Sequence, residues 1–480
     1  MPAIPPIYDP DEKVFNDLAD DERKMRNEMM THHWKYYDGD HRQPLKPDVE
    51  GNNYNIILNF FDMAIDKFVE FIGMPTLKLE GGMDNEISPD GKTVTKKTPE
   101  QELLEELVEA SELEELLPDT LTSGAVSGHN FWRIVIEDVG NGQFEELPYL
   151  MLIDARYMTV FWDQMTRKRL FYRMEWTIGE VGYRQDIVPG WLLQENRYGL
   201  TITDDQWAIL DFIRKKNATK YEFAGGDTWV FPFPPIVDWK TRRKAHSYYG
   251  DHDFKSISVN DAINFTTSNM NKIITHHAHP KTVLFGTDPN ELVEIAPDEM
   301  WAIPETDANL QSVEMQSDLK SSMEFKAILR NFFFSKMRVL DTSTIKDRIG
   351  QLTNFGVRML FNDMIKNVDD RRSRTSDKGL NVAFKRMMFM MGAEVDGILS
   401  EWEDPLPIDR KELVETVERE AGMGITSKQT LTDDLGRDFE TEQAQLQEEK
   451  NIEVDNRVNT IVRLAQNGVN GQPQRAQQGN

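Results

Sequence analysis

From Leu319 to Met391 the sequence reads as helix, short polar break, longer helix. Phe325, Ile328, Leu329, Phe332, Phe333 and Leu340 recur at helical spacing, which gives the first helix an apolar face. Asp341 to Gly350 (DTSTIKDRIG) interrupts with small and polar residues and two cations, Lys346 and Arg348. Apolar spacing resumes at Leu352, Phe355, Met359 and Leu360, and again at Leu380, Ala383, Phe384, Met387, Met388 and Met391. Two architectures fit this pattern. One is a pair of core helices in a large α-rich domain; the other is a loop held at the end of two long helices and presented to a partner.

Composition narrows the choice. A chain of 480 residues can form two or three domains with substantial cores. Its hydrophobic share of 39% and mean hydropathy of −0.57 are low for a self-contained globular enzyme. Such a chain either has extended parts or finishes its burial against other subunits. The net charge of −27 argues against a sequence-reading nucleic-acid binder, which needs a basic face. It leaves room for a surface past which DNA slides without sticking. There is no cysteine, which excludes disulfides, thiolate metal sites and Cys nucleophiles and favours assembly in a reducing cytosol. The opening MPAIPPIYDPDEK has neither a basic n-region nor an apolar h-region, so no signal peptide is expected. No apolar run approaches the ~18 residues of a membrane span.

Taken in order, Asp11 to Tyr37 is a charged helical segment closed by a turn at Tyr36 to His41. Asn52 to Asn55 precedes a helix with Ile57, Phe60, Phe61, Ala64, Ile65, Phe68 and Phe71 on one side, stopped by Gly73-Met74-Pro75. Gly81 to Lys97 reads as a polar loop. Its Gly91-Lys92-Thr93 resembles the end of a P-loop, but Glu86 stands where the first glycine belongs, so the ATP reading fails. Thr98-Pro99-Glu100-Gln101 is a capping box that opens an acidic helix, expected to run to Leu117 and stop at Pro118. Ser123 to Gly128 reads as a small-residue turn. Strands are then expected at Phe131–Val139, Tyr149–Ile153, Met158–Trp162, Arg169–Ile178, Trp191–Asn196 and Trp229–Phe231.

After Pro232 to Val237 comes Tyr249-Gly250-Asp251-His252-Asp253-Phe254 and a long helix through Ile257, Ile263, Met270 and Ile274, ending near His279-Pro280. Residues 281–316 read as short strands and turns inserted at the tip of a helix pair. The C-terminal part begins at Trp402, with a helix from Asp409 to about Gly422, a short helix capped by Ser427, and an acidic helix from Asp438 to Arg463. The tail from Asn467 is Gln/Asn/Gly-rich and is expected to be disordered. The fold class that emerges is α+β, mainly helical.

Four stretches carry a family resemblance: YYDGDH with NYNIILNFFDMAIDKFVEFIGMP; SGAVSGHNFWRIVIED; YYGDHDFKSISVNDAINFTTSNMNKII; and EWEDPLPIDRKEL followed by GITSKQTLTDDLGRDFETEQ. Their order and content resemble the portal (head-to-tail connector) proteins of tailed double-stranded DNA bacteriophages. One departure stands out. Portal proteins commonly carry Ser-Gly-x-Ala-Leu after the break, whereas this chain has Asn354-Phe355-Gly356-Val357-Arg358.

The resemblance implies a ring of subunits, usually twelve, at one capsid vertex of the virion, assembled in the host cytoplasm. It implies an N-terminal arm and wing (1–245), a first stem helix (246–280), a clip (281–316), a second stem helix (317–340) and a tunnel loop (341–351). A long wing helix (352–395), crown helices (396–466) and the tail (467–480) would follow. The implied partners are double-stranded DNA held non-specifically, the major capsid protein and scaffold, the terminase motor, and head-tail connector or adaptor proteins. No membrane, cofactor, metal or enzymatic activity is implied.

In that frame the tunnel-loop candidates are Lys346, Arg348, Thr344 and Asp347, of which the two cations would touch DNA without base readout. The stem candidates are Lys320, Lys326 and Lys272. The clip candidates, for motor or connector docking, are Lys281, Asp288, Glu291 and Glu294. A conduit needs weak phosphate contact, because many cation–phosphate contacts per subunit would hold DNA in place.

Two other readings compete. The first is an acidic scaffold or adaptor that binds only proteins. The second is a metal-dependent hydrolase built on acidic residues with His276 and His279. Of the three clustered histidines, only His276 and His279 share a helix face, and catalysis would need further converging ligands. The dense carboxylates of Glu102 to Glu115 and Asp438 to Glu449 are expected to be solvated faces or subunit rims, and Met387 to Met391 to be helix packing.

Overall fold

Helix α1 (Lys13–Tyr37) runs into the Tyr36–His41 turn, and α2 (Phe60–Ile72) follows after a stretch with no regular structure. The computed structural model describes residues 8, 13–47, 51–87, 93–136, 147–163, 166, 168–193, 198–278, 282–285, 301–303, 309–312, 319–341, 354–406, 410–423, 431–432, 442–443 and 446. The chain divides into two units, residues 1–405 and 406–480.

Capping sets several boundaries. Asn59 accepts a hydrogen bond from the Asp62 backbone N–H at the start of α2, and Gly73, in the left-handed region at φ +69°, ends it. In α3 (Pro99–Ala110), Thr98 Oγ1 accepts from the Gln101 N–H at 3.3 Å with Pro99 at the first position, as the sequence predicts. The return half of the capping box is used elsewhere. The Gln101 side chain turns to the backbone of strand β1 (Pro75–Leu79), accepting from the Leu79 N–H and donating to the Leu77 carbonyl.

Pro118 does not stop the acidic helix. The break comes earlier, at Ser111 and at Glu112 with φ +45°. Helix α4 (Leu113–Ser127) then continues through Pro118 and through the expected small-residue turn to Gly128. The burial of Leu117, Leu121, Ala125 and Val126 outweighs the backbone hydrogen bond that proline forfeits. The predicted loop at 81–97 is also corrected. It contains an antiparallel hairpin, β2 (Met83–Ile87) with β3 (Thr93–Lys97).

A three-stranded sheet has the order β11 (Ile236–Lys240), β4 (His129–Val135), β5 (Tyr149–Leu152). A five-stranded antiparallel meander follows: β6 (Met158–Trp162), β7 (Arg169–Ile178), β8 (Val181–Pro189), β9 (Trp207–Arg214) and β10 (Glu222–Trp229). Among the described residues of the strand expected from Trp191, Trp191 and Leu192 are not extended; Gly190–Leu192 is a 3-10 turn that closes β8 after Pro189. The expected strand at Trp229–Phe231 is instead the end of β10, with Val230 and Phe231 beyond it.

Helix α5 (Ile257–Ala278) leads to a sheet in which β12 (Thr282–Phe285) pairs parallel with β13 (Trp301–Ile303) and antiparallel with β14 (Asn309–Ser312). Helix α6 (Leu319–Met337) packs back against α5. Helix α7 (Asn354–Arg374), a π-helical turn (Thr375–Leu380) and α8 (Asn381–Met390) form one continuous helical run. At Gly379 of that turn, a Cβ would lie 3.0 Å from the Trp239 ring, so the widened turn fits the helix over an indole. Strand β15 (Ile398–Trp402) then pairs antiparallel with β1. The second unit contributes α9 (Arg410–Met423).

The largest core gathers α2, α4, α7, α8 and the C-terminal half of α6. Phe61 stacks on Phe254 at 4.4 Å and meets Phe333 edge-on at 5.0 Å. Met387 and Met388 lie in this core, so the methionine run is helix packing there.

Candidate functional site: the helix pair and its exposed face

Helix α5 carries Asn260, Asn264, Ser268 and Asn271 at intervals of four, four and three residues, which puts them on one face. That face holds the backbone of residues 54–58. The Leu58 N–H donates to Asn264 Oδ1 at 2.9 Å, and the Ile56 N–H donates to Ser268 Oγ at 2.9 Å. Asn260 donates to the Leu58 carbonyl, Ser268 to the Ile56 carbonyl and Asn271 to the Tyr54 carbonyl. Alternate residues 54, 56 and 58 thus turn their polar groups to the helix, as an extended segment does. Side chains replace the neighbouring strand that this segment lacks.

The N-terminal approach to α5 is a buried charge cluster. Asp253 accepts from Arg242 at 3.0 Å and from Arg371 of α7, whose guanidinium also lies 4.4 Å over the Phe68 ring. Two of the family-like motifs meet beside it. A Cβ on Gly250 would come within 2.0 Å of the Gly128 carbonyl, so glycine is required for the two backbones to touch.

A second buried hub, Asp238 on β11, takes hydrogen bonds from Tyr172 and Tyr248, each at 2.6 Å. Arg169 also donates to it, and His129 Nε2 lies 3.1 Å away. Burial alone would push the Asp238 carboxyl up, but the His129 hydrogen bond and the Arg169 charge outweigh it and hold it at about 2. On the five-stranded sheet, Asp186 is held at about 2 in the same way: burial raises it, and Arg173 and Arg184 lower it further. Tyr8 seals that pocket by donating its hydroxyl to Asp186.

Helix α6 has two unlike sides. Phe333, Phe334 and Met337 face the core, packing on Phe60 and Phe61 of α2. Phe325, Ile328 and Phe332 are 51%, 63% and 55% exposed, at i, i+3 and i+7, and form a stripe on the opposite side. The single apolar face expected from the sequence is therefore split, and Leu340 lies past the helix end. The helix closes with Arg338 in the left-handed region at φ +56° and the Val339 N–H bonded to the Phe334 carbonyl. Arg330 reaches forward to Asp341 with two contacts, at 2.6 and 3.0 Å, and ties Asp341 to the helix.

Of the stem candidates, Lys272 is half-buried on α5, 6.0 Å from the Tyr54 ring centroid. Lys320 is exposed and Lys326 half-buried on α6. Lys346, Arg348, Thr344 and Asp347 lie outside the described residues, as do Lys281, Asp288, Glu291, Glu294 and His279. His276 falls on α5. Among the described residues, no group of three or more His, Asp or Glu side chains could hold a metal ion, and no helix is long and apolar enough to cross a membrane. The carboxylates of Glu102, Glu105, Glu106, Glu109, Glu112, Glu114 and Glu115 are all exposed, a solvated face as expected.

The asparagine ladder, the Asp253–Arg371 pair and the Arg330–Asp341 clamp were not anticipated from the sequence. The i, i+4 spacing of polar residues within an apolar helix was the available signal for the first.

The sequence model of the family described as "Phage portal protein, SPP1 Gp6-like" matches residues 208–455, more than half of the chain. The chain belongs to this phage portal family. The match takes in α5, α6, α7 and α8, so the ladder helix and the striped helix are both within the portal-family region. No curated protein matches the sequence. Among solved structures, the chain resembles one titled "Virion of native gene transfer agent (GTA) particle", with TM-score 0.46 and 12% identity over 78% of this chain and 89% of that one. It also resembles "Neck of native GTA particle computed with C12 symmetry", with TM-score 0.45 and 13% identity over 78% and 89% of the two chains. A third, "Neck of empty GTA particle computed with C6 symmetry", has TM-score 0.45 and 13% identity over 81% and 91%.

Proposed function

We propose that this portal-family chain assembles into a ring, of twelve subunits, at one vertex of a phage capsid. The ring's channel is the route for genome packaging and ejection, and its outer ends dock the packaging motor and the head-tail connectors. The family match carries this reading. The helix pair supports it: a chain complete in itself would not leave Phe325, Ile328 and Phe332 in a row in water.

In this reading α5 and α6 are the stem, residues 281–316 the clip and 341–351 the tunnel loop. Lys346 and Arg348 face the channel and touch DNA phosphates, while the acidic remainder of the chain limits how tightly DNA is held. The chain performs no catalysis; a separate motor supplies the packaging energy.

Replacing both Lys346 and Arg348 with Glu tests the channel role. Rings should still form, and heads carrying them should package or retain less DNA. DNA-filled heads at the normal yield would contradict that role for the two residues.

A further inference from the structure

A cavity of about 500 Å³ lies beside the C-terminal end of α2, walled by Phe71, Met74, Leu340, Phe361 and Met364. Phe71 and Phe361 stack at 5.6 Å to make one side. Lys67, Glu70, Arg372, Glu403 and Asp404 supply the charged part of its margin. Arg372 donates to the Ile72 and Glu403 carbonyls, and Arg358 pairs with Asp404 at 2.6 Å. Between these charged groups the wall is mainly apolar, which suits large hydrophobic side chains.

We propose that this cavity receives the Phe325–Ile328–Phe332 stripe of α6 from the next copy of the same chain. The inference rests on the ring reading above and specifies its contact. Patch and pocket sit on one chain but cannot meet within it. The stripe points away from α2, because Phe333, one residue on, packs against Phe60 and Phe61. The cavity is bordered by α2 itself. A patch on one face and a complementary pocket on another make a head-to-tail contact, the kind that builds a ring when the rotation between copies closes. The low hydrophobic share of the chain agrees with burial that is finished between subunits.

The absence of cysteine makes the test clean, since two introduced thiols are the only ones present. Purified full-length chain carrying Ile328→Cys together with Met74→Cys is treated with a short bismaleimide and run on a denaturing gel. A head-to-tail contact predicts a ladder of covalent multimers extending past the dimer. Each single variant can give no species beyond the dimer. Rings of parental mass without that ladder would overturn the pairing and leave the cavity to another occupant, including the chain's own residues. Ile328→Glu, at an exposed position, should convert rings to monomers with unchanged far-UV circular dichroism; unaltered ring mass would overturn the proposal. A parent chain that forms no ring would instead contradict the assembly reading, which the native mass of the cysteine-free protein reports separately.

Discussion

Asn264 on α5 holds Leu58 by its backbone: the Leu58 N–H donates to Asn264 Oδ1 at 2.9 Å across 206 residues of sequence. Two of the four family-like stretches, the one containing NYNIILNFF and the one containing SVNDAINFTTSNMNKII, are thereby explained as two halves of one contact. Their polar residues recur because an extended segment without a strand partner needs side chains to satisfy it.

Asn264→Leu preserves the side-chain size but leaves the Leu58 N–H without its acceptor. The expected cost is about 2 kcal/mol of stability. Native-state hydrogen exchange should show the Leu58 amide losing protection ahead of amides in α3. An unchanged Leu58 exchange rate would mean that the ladder does not hold the segment.

Gly250→Ala drives a Cβ to 2.0 Å from the Gly128 carbonyl and 2.9 Å from the Arg242 carbonyl. Neither backbone can yield without disturbing the Asp253–Arg242 pair, so a loss of about 3 kcal/mol or more is expected. Gly225→Ala, in open space on β10, should stay within ~0.5 kcal/mol of the parent. Urea unfolding of both variants checks the contrast.

Acid should weaken the fold in two steps. His33 is buried against His252 and Phe254, and burial followed by the His252 charge lowers it to about 4. Its folded value lies below the unfolded value of about 6.5, so its contribution is complete above that pH. The contribution is lost as pH falls toward 4, a change on the order of 3 kcal/mol. Asp186 and Asp238, at about 2, act lower: their contribution is present above about pH 4 and is lost as pH falls through 2. His33→Phe keeps a ring on Phe254 and removes one of the upper proton sites; His41, His129 and His252, lowered by burial as well, remain. Its urea midpoint should depend less on pH between 7 and 5 than the parent's.

The sequence made some elements plain and hid others for identifiable reasons. Strands β6 and β7 were legible because aromatic and β-branched residues dominate them, and α2 because its apolar face ends at Gly73. The β2–β3 hairpin was hidden because MDNEI and TVTKK are polar and lack an apolar alternation. Pro118 misled because its local penalty is overridden by the burial of Leu117 and Leu121. Most instructive is the pair Phe332 and Phe333, exposed and buried respectively. Periodicity registers both as apolar, and it cannot tell which of the two the chain's own core covers.

The native mass of the purified chain, with class averages of negatively stained particles, tests the central claim most directly. Twelve 55.6 kDa chains make a particle of about 667 kDa, and the account predicts that species as a ring with a central hole. A protein that stays at 55.6 kDa, alone and in the presence of the capsid and scaffold proteins of the same phage, would contradict it.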